Sequence, residues 1–125
     1  MKIAIIIARV LLGLAFVVFG LNMFLHFIPQ PKETPAPLVA DYMQALFMSG
    51  FIYVVGACQV AGGLLLLIGR FVALGLVILG PVIVNILLFH IFLQHNLPTP
   101  AIVVAVLGAF LIWAYRDRFA PIFKP

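Results

Sequence analysis

Three polar side chains, Arg9, Gln59 and Asn85, stand inside long apolar runs of this sequence. A guanidinium or carboxamide in hydrocarbon is costly unless its donors and acceptors are paired. Each of the three therefore marks either a hydrogen bond between helices or a contact with the polar part of a ligand. Gln59 lies nearest the middle of its run, with two candidate partners: the Arg9 guanidinium and a substrate carbonyl such as that of a quinone. Asn85 follows Gly80-Pro81 by about one helical turn, and the proline frees a carbonyl near Val77. A kink beside a buried amide would make a ligand pocket, or simply a bent helix whose asparagine repairs interhelical bonding. Arg9, Gln59 and Asn85 are thus the candidate polar ligand contacts.

Two histidines, His26 and His90, close apolar runs and belong to a residue type that ligates haem and metals. On a wheel of about 100° per residue, however, His90 falls nearly opposite Asn85, and neither ring has an acidic partner on its own helix. Both read as interfacial histidines, with no haem, zinc or copper expected. The one cysteine, Cys58, excludes an intramolecular disulfide and a CxxC pair. Ser49, Thr34 and Thr99 have no adjacent base, so no nucleophile is assembled. The glycines lie within apolar runs, where they serve packing rather than a phosphate loop. No catalytic residue is expected.

The elements that must position these residues follow from the composition. Of 125 residues, 66% are apolar and 8% charged, against about 25% charged in an ordinary soluble domain, and the mean hydropathy is +1.34. A soluble globule could not cover its surface with so few charges, and the longest polar stretch, Pro29 to Pro37, is too short for a separate domain. The first span is expected from about Ile3 to Phe27, with Arg9 inside it and no small-x-small cleavage site, hence an uncleaved span rather than a signal peptide. The prolines at 29, 31, 35 and 37 make the next connection stiff. From Leu38 to Met48 the apolar residues Leu38, Val39, Tyr42, Met43, Leu46 and Phe47 alternate with Asp41 and Gln44 in a helical pattern, which suits a short interfacial helix capping the outer mouth of the spans.

Ser49-Gly50 opens a second span, Phe51 to Ile68, and Gly69-Arg70 turns tightly into a third, Phe71 to Leu93. Thr99 is placed to cap, and Pro100 to begin, a fourth span running to about Tyr115 and extending into Arg116-Asp117-Arg118. The expected fold is all-α: a single domain, residues 1–125, forming a four-transmembrane-helix bundle with a short interfacial helix between spans 1 and 2. Arg9, Gly13, Phe16 and Gly20 share one face of the first span, and Ile52, Gly56, Gln59, Gly63 and Leu67 one face of the second, so these faces should pack closely. Arg9 and Gln59 are expected to meet there.

Seven basic residues are scattered singly, without the clustering of a nucleic-acid surface. Lys2, Arg9, Arg70, Arg116, Arg118 and Lys124 fall on one side of the spans and Lys32 on the other, which predicts cytoplasmic termini. The partner is the lipid bilayer, with no nucleic acid.

The runs Arg9-Val-Leu-Leu-Gly13-Leu-Ala-Phe-Val-Val-Phe-Gly20, Gly62-Gly63-Leu-Leu-Leu-Leu and Pro81-Val-Ile-Val-Asn85-Ile-Leu-Leu-Phe-His90, with the tail Ala114-Tyr115-Arg116-Asp117-Arg118-Phe119, resemble the DoxX-like family of bacterial membrane proteins over nearly the whole chain. The resemblance implies a compact four-helix membrane domain in the bacterial inner (cytoplasmic) membrane, and a link to quinol oxidase and thiosulfate:quinone systems. Where the family pattern has an acid before the Gly-Gly pair and a lysine one turn earlier, this chain has Gln59 and Gly56. The function it implies is a noncatalytic component of a membrane redox or quinone-linked system, binding a hydrophobic molecule or partner in the bundle. A quinone is the candidate cofactor, and a redox-complex subunit or a second copy of the chain the candidate partner. The alternative is a membrane interaction or assembly protein that holds no small molecule. An extractable quinone would separate the two.

Overall fold

A computed structural model describes residues 1–25, 37–95 and 98–123. Among them the chain is helical throughout, in the order α1 (Lys2–Leu25), α2 (Pro37–Ser49), α3 (Phe51–Ile68), α4 (Val72–Leu88), a π-helical turn (Phe89–Leu93), α5 (Thr99–Ala114), α6 (Arg116–Phe119) and a final 3₁₀ turn (Ala120–Phe123). Three helical stretches, Lys2–Leu25, Phe51–Ile68 and Val72–Leu93, are each long and apolar enough to cross a membrane. The fourth candidate, α5 with the segment to Ile122, is bent by 73° at its break. The chain is a multi-pass membrane protein whose outward-facing leucines, isoleucines, valines and phenylalanines belong in lipid.

The second span begins and ends where its bracketing glycines predict. Gly50 and Gly69 both adopt the left-handed conformation at φ 80°, which costs glycine little. The Gly69 amide closes α3 by donating to the Leu65 carbonyl at 3.0 Å. Three residues later, at Val72, the chain starts α4, so α3 and α4 are antiparallel neighbours.

The register of α1 against α3 is set by glycine pairs. A Cβ on Gly13 would lie 2.8 Å from the Gly63 carbonyl oxygen, one on Gly63 2.8 Å from that of Gly13, and one on Gly20 2.8 Å from that of Gly56. Backbones this close leave no room for a side chain, and they gain the dispersion contact that drives association in lipid. Gly62 and Gly75 make the same kind of approach between α3 and α4, where a Cβ on Gly75 would sit 3.0 Å from the Gly62 carbonyl oxygen. α5 packs on both α4 and α1 and closes the ring. Toward the Gly69 turn the interior is filled by Leu12, Leu66, Val72, Leu76, Leu79 and Leu111, all buried.

Two expectations are corrected here. The last span does not continue straight through its arginines. α5 ends at Ala114, Tyr115 takes φ −103°, ψ 21°, and α6 departs at the bend. Arg116 donates from Nη1 to the Trp113 carbonyl at 2.9 Å and lies 4.7 Å over the Trp113 ring, while Arg118 lies 5.7 Å over Tyr115. These cation–π contacts draw both guanidinium groups back along the helix end instead of prolonging it. At the other end Thr99 is already the first helical residue and Pro98 occupies the cap position, with no side-chain cap.

Candidate functional site

Beyond the filled half of the ring the interior opens into a cavity of about 460 Å³, within the range of about 300–1,000 Å³ typical of small-molecule sites. All five longer helices contribute: Phe16, Phe19, Asn22 and Met23 from α1; Met43 and Phe47 from α2; Ile52 and Gln59 from α3; Ile86 from α4; Pro100, Ala101 and Val104 from α5. His90 from the π-helical turn completes the wall. A smaller space of about 140 Å³ adjoins it beneath α2 and is lined by Tyr42, Val55, Asn85 and Phe89, among others. Gln59, His90, Met23 and Met43 line both.

Gln59 is the polar feature of this interior. It is 3% exposed, and its Oε1 is buried without a hydrogen-bond partner. A buried acceptor left unsatisfied costs roughly 1–3 kcal/mol. Gln59 lies eight residues into α3 from Phe51, about 12 Å along the axis.

Arg9 does not meet it. The glycine register sets Gln59 level with Val17, whereas Arg9 lies eight residues away on α1, about 12 Å along the axis. Its guanidinium instead lies on the turn after α3, so that a Cβ on Gly69 would touch Nη1 at 2.9 Å and Nη2 at 3.1 Å. Arg9 thus belongs to the end of the ring away from the cavity, with Nε buried and unpartnered.

Asn85 reaches the smaller space, but not as a buried, unsatisfied amide. It is exposed, and its Nδ2 donates to the Tyr42 hydroxyl at 2.9 Å. Pro81 and Gly80 face away from the packing: Pro81 is exposed, and a Cβ on Gly80 would meet nothing within 4 Å. The proline step therefore makes no wall of either space. Tyr42 also packs on Phe89 with ring centroids 5.2 Å apart, so α2 is held over the end of the cavity from its middle. The inward face of α2 is Val39, Tyr42, Met43 and Leu46, while Leu38 and Phe47 stay more exposed than the sequence pattern implies.

His90 is the residue whose place the sequence misjudges. Uniform α-helical rotation puts it across from Asn85, yet both line the smaller space. His90 is the second residue of the π-helical turn Phe89–Leu93. Its Nδ1 lies 2.6 Å from Gln94 Oε1. Because Oε1 can only accept, the ring nitrogen facing it is the donor. His26, the other histidine considered for a metal pair, lies outside the described residues, and among those residues no three His, Cys, Asp or Glu side chains come together.

The sequence is 30% identical over 122 residues to the uncharacterized protein YwoB of Bacillus subtilis (strain 168), covering 93% of this chain and 79% of that protein. No family model matches the chain. No solved structure matches it either.

Proposed function

This chain belongs to the same family as the Bacillus subtilis protein YwoB, and we propose that it is a four-span protein of the bacterial cytoplasmic membrane that binds a hydrophobic molecule with a polar head. The reading includes a noncatalytic role in a membrane redox or quinone-linked system, for which the support is the DoxX-like resemblance of the Arg9–Gly20, Gly62-Gly63 and Pro81–His90 runs. The observation that carries the binding role is Gln59: an unpartnered buried amide at an apolar cavity large enough for a small molecule. In this reading α5 crosses with the other three spans, α2 lies in the interface, and the cavity opens to the outer leaflet.

The cavity is tested by filling it. Ala101 is 5% exposed and lines the larger space only, so Ala101→Phe should occupy the cavity without touching Gln59. The wild-type protein, purified in mild detergent or nanodiscs, is expected to carry an extractable apolar molecule that the folded Ala101→Phe variant lacks. Equal retention by both proteins would place the molecule outside the cavity, or on the lipid surface.

The orientation follows from the basic residues, six of them on the side of both termini. A C-terminal fluorescent fusion that folds only in the cytoplasm is expected to be bright. A dark fusion, with a bright one at the α1–α2 connection, would invert the topology and put the cavity on the inner leaflet.

A further inference from the structure

The end of the bundle away from the cavity gathers cations with few counterions. α1 begins there, the turn between α3 and α4 carries Arg70, and α5 ends there before Arg116 and Arg118. Among the described residues this end holds five basic side chains, counting Lys2 and Arg9, and one acid, Asp117. Arg116 and Arg118 rest on the rings of Trp113 and Tyr115. Arg9 makes no ion pair or hydrogen bond among the described residues. Its Nε is enclosed by the packing, whereas Nη1 and Nη2, which carry four of the five guanidinium N–H groups, lie against Gly69. The carbonyl end of α3 favours a cation at this place, yet it accepts no hydrogen bond from it. The anion that would complete Arg9 must come from outside the chain.

Depth in the membrane says which anion. Trp113 is half exposed, Phe71 is exposed at the start of α4, and Tyr115 stands at the bend, and aromatic rings of this kind mark the headgroup level. The 73° bend turns the segment from Arg116 to Ile122 nearly across the axis of α5, with Phe119 packed on the core beneath it. That segment therefore runs along the interface, where lipid phosphates lie. A zwitterionic head would bring its own ammonium into a field that is already positive, and an anionic head brings none. We propose that this end of the bundle binds an anionic phospholipid, its phosphate seated on Arg9 Nη1 and Nη2 beside the Gly69 turn. The site depends neither on the cavity nor on which leaflet this end faces.

The test titrates the full chain in mild detergent with dioleoylphosphatidylglycerol and with dioleoylphosphatidylcholine, and counts bound lipid by native mass spectrometry. The wild-type protein is expected to bind the anionic lipid about tenfold more tightly; equal binding of the two overturns the proposal. In Arg9→Gln, checked for folding by circular dichroism, the preference should fall to about twofold or less, whereas Arg70→Gln, a change to an exposed side chain at the same turn, should lower it only about twofold. A preference that survives Arg9→Gln and is lost in Arg70→Gln would mean that exposed charge alone attracts the lipid, and overturns the seat on Arg9. Arg9→Lys keeps the cation that the α3 end favours but not the fork, so it tests the seat even if Arg9→Gln does not fold: the preference should drop to about threefold, and an unchanged preference counts against the forked contact. Inorganic phosphate in excess should leave the bound lipid in place. Displacement by it would assign the site to the free ion and overturn the lipid.

Discussion

Gly63→Ala is expected to destabilise the protein by about 2–3 kcal/mol, the upper part of the usual range for an overpacked interior, whereas Gly80→Ala should change its stability by less than about 1 kcal/mol. The two changes add the same methyl group to a helix interior. At Gly63 the new Cβ would stand 2.8 Å from the Gly13 carbonyl oxygen and 3.0 Å from the Val17 amide nitrogen. Backbone atoms cannot turn aside as a side-chain tip can, so α1 and α3 must separate along their length. In lipid that separation forfeits dispersion contact that no hydrophobic effect restores. At Gly80 the Cβ would meet nothing within 4 Å beyond its chain neighbours, and the backbone entropy removed from the unfolded chain is offset by crowding of the new methyl group against the ring of Pro81. Unfolding in graded sodium dodecyl sulfate, followed by circular dichroism, reads both. If Gly63→Ala were as stable as the wild type, α1 and α3 would not be packed through Gly13 and Gly63, and the register that separates Arg9 from Gln59 would be wrong.

That register was present in the sequence in a form that a wheel for each helix does not extract. The wheels place Gly13 and Gly20 on one face and Gly56 and Gly63 on another, and the structure joins those faces. Pairing glycines seven apart on one helix with glycines seven apart on an antiparallel one aligns Gly13 with Gly63 and Gly20 with Gly56. Gln59 is then level with Val17, and Arg9 lies beyond reach. Depth estimated from the membrane surface ignores this constraint and brings Arg9 and Gln59 together. α3 itself was legible to the residue, because Gly50 and Gly69 break the helix at both ends. The π-helical turn was not legible, since one extra residue in a turn leaves no mark in an apolar run such as Phe89–Leu93. Tyr42 as the partner of Asn85 was hidden differently: the pair lies 43 residues apart in sequence, and only the docking of α2 brings it together.

Gln59→Leu should raise stability and abolish ligand retention at once, and the opposite signs are what give the experiment its force. An amide kept for structure would be hydrogen-bonded, and removing it would cost about 0.5–1.5 kcal/mol. Gln59 Oε1 has no such bond in this protein. A leucine of similar reach would occupy the same space with no acceptor to satisfy, and would recover part of the roughly 1–3 kcal/mol that an unsatisfied buried group costs. Gly20, Gly56 and Gly63, which hold α1 against α3, are untouched by the change, so the helices are expected to keep their packing. The head of a bound molecule, by contrast, would lose its partner in a cavity otherwise almost wholly apolar. Unfolding in graded detergent and extraction of the copurifying molecule, done on the same preparations, give the two readings. A variant that is both more stable and empty assigns Gln59 to binding. One that is less stable and still loaded would mean that the amide is satisfied by the fold after all, and that the cavity holds its occupant by shape alone.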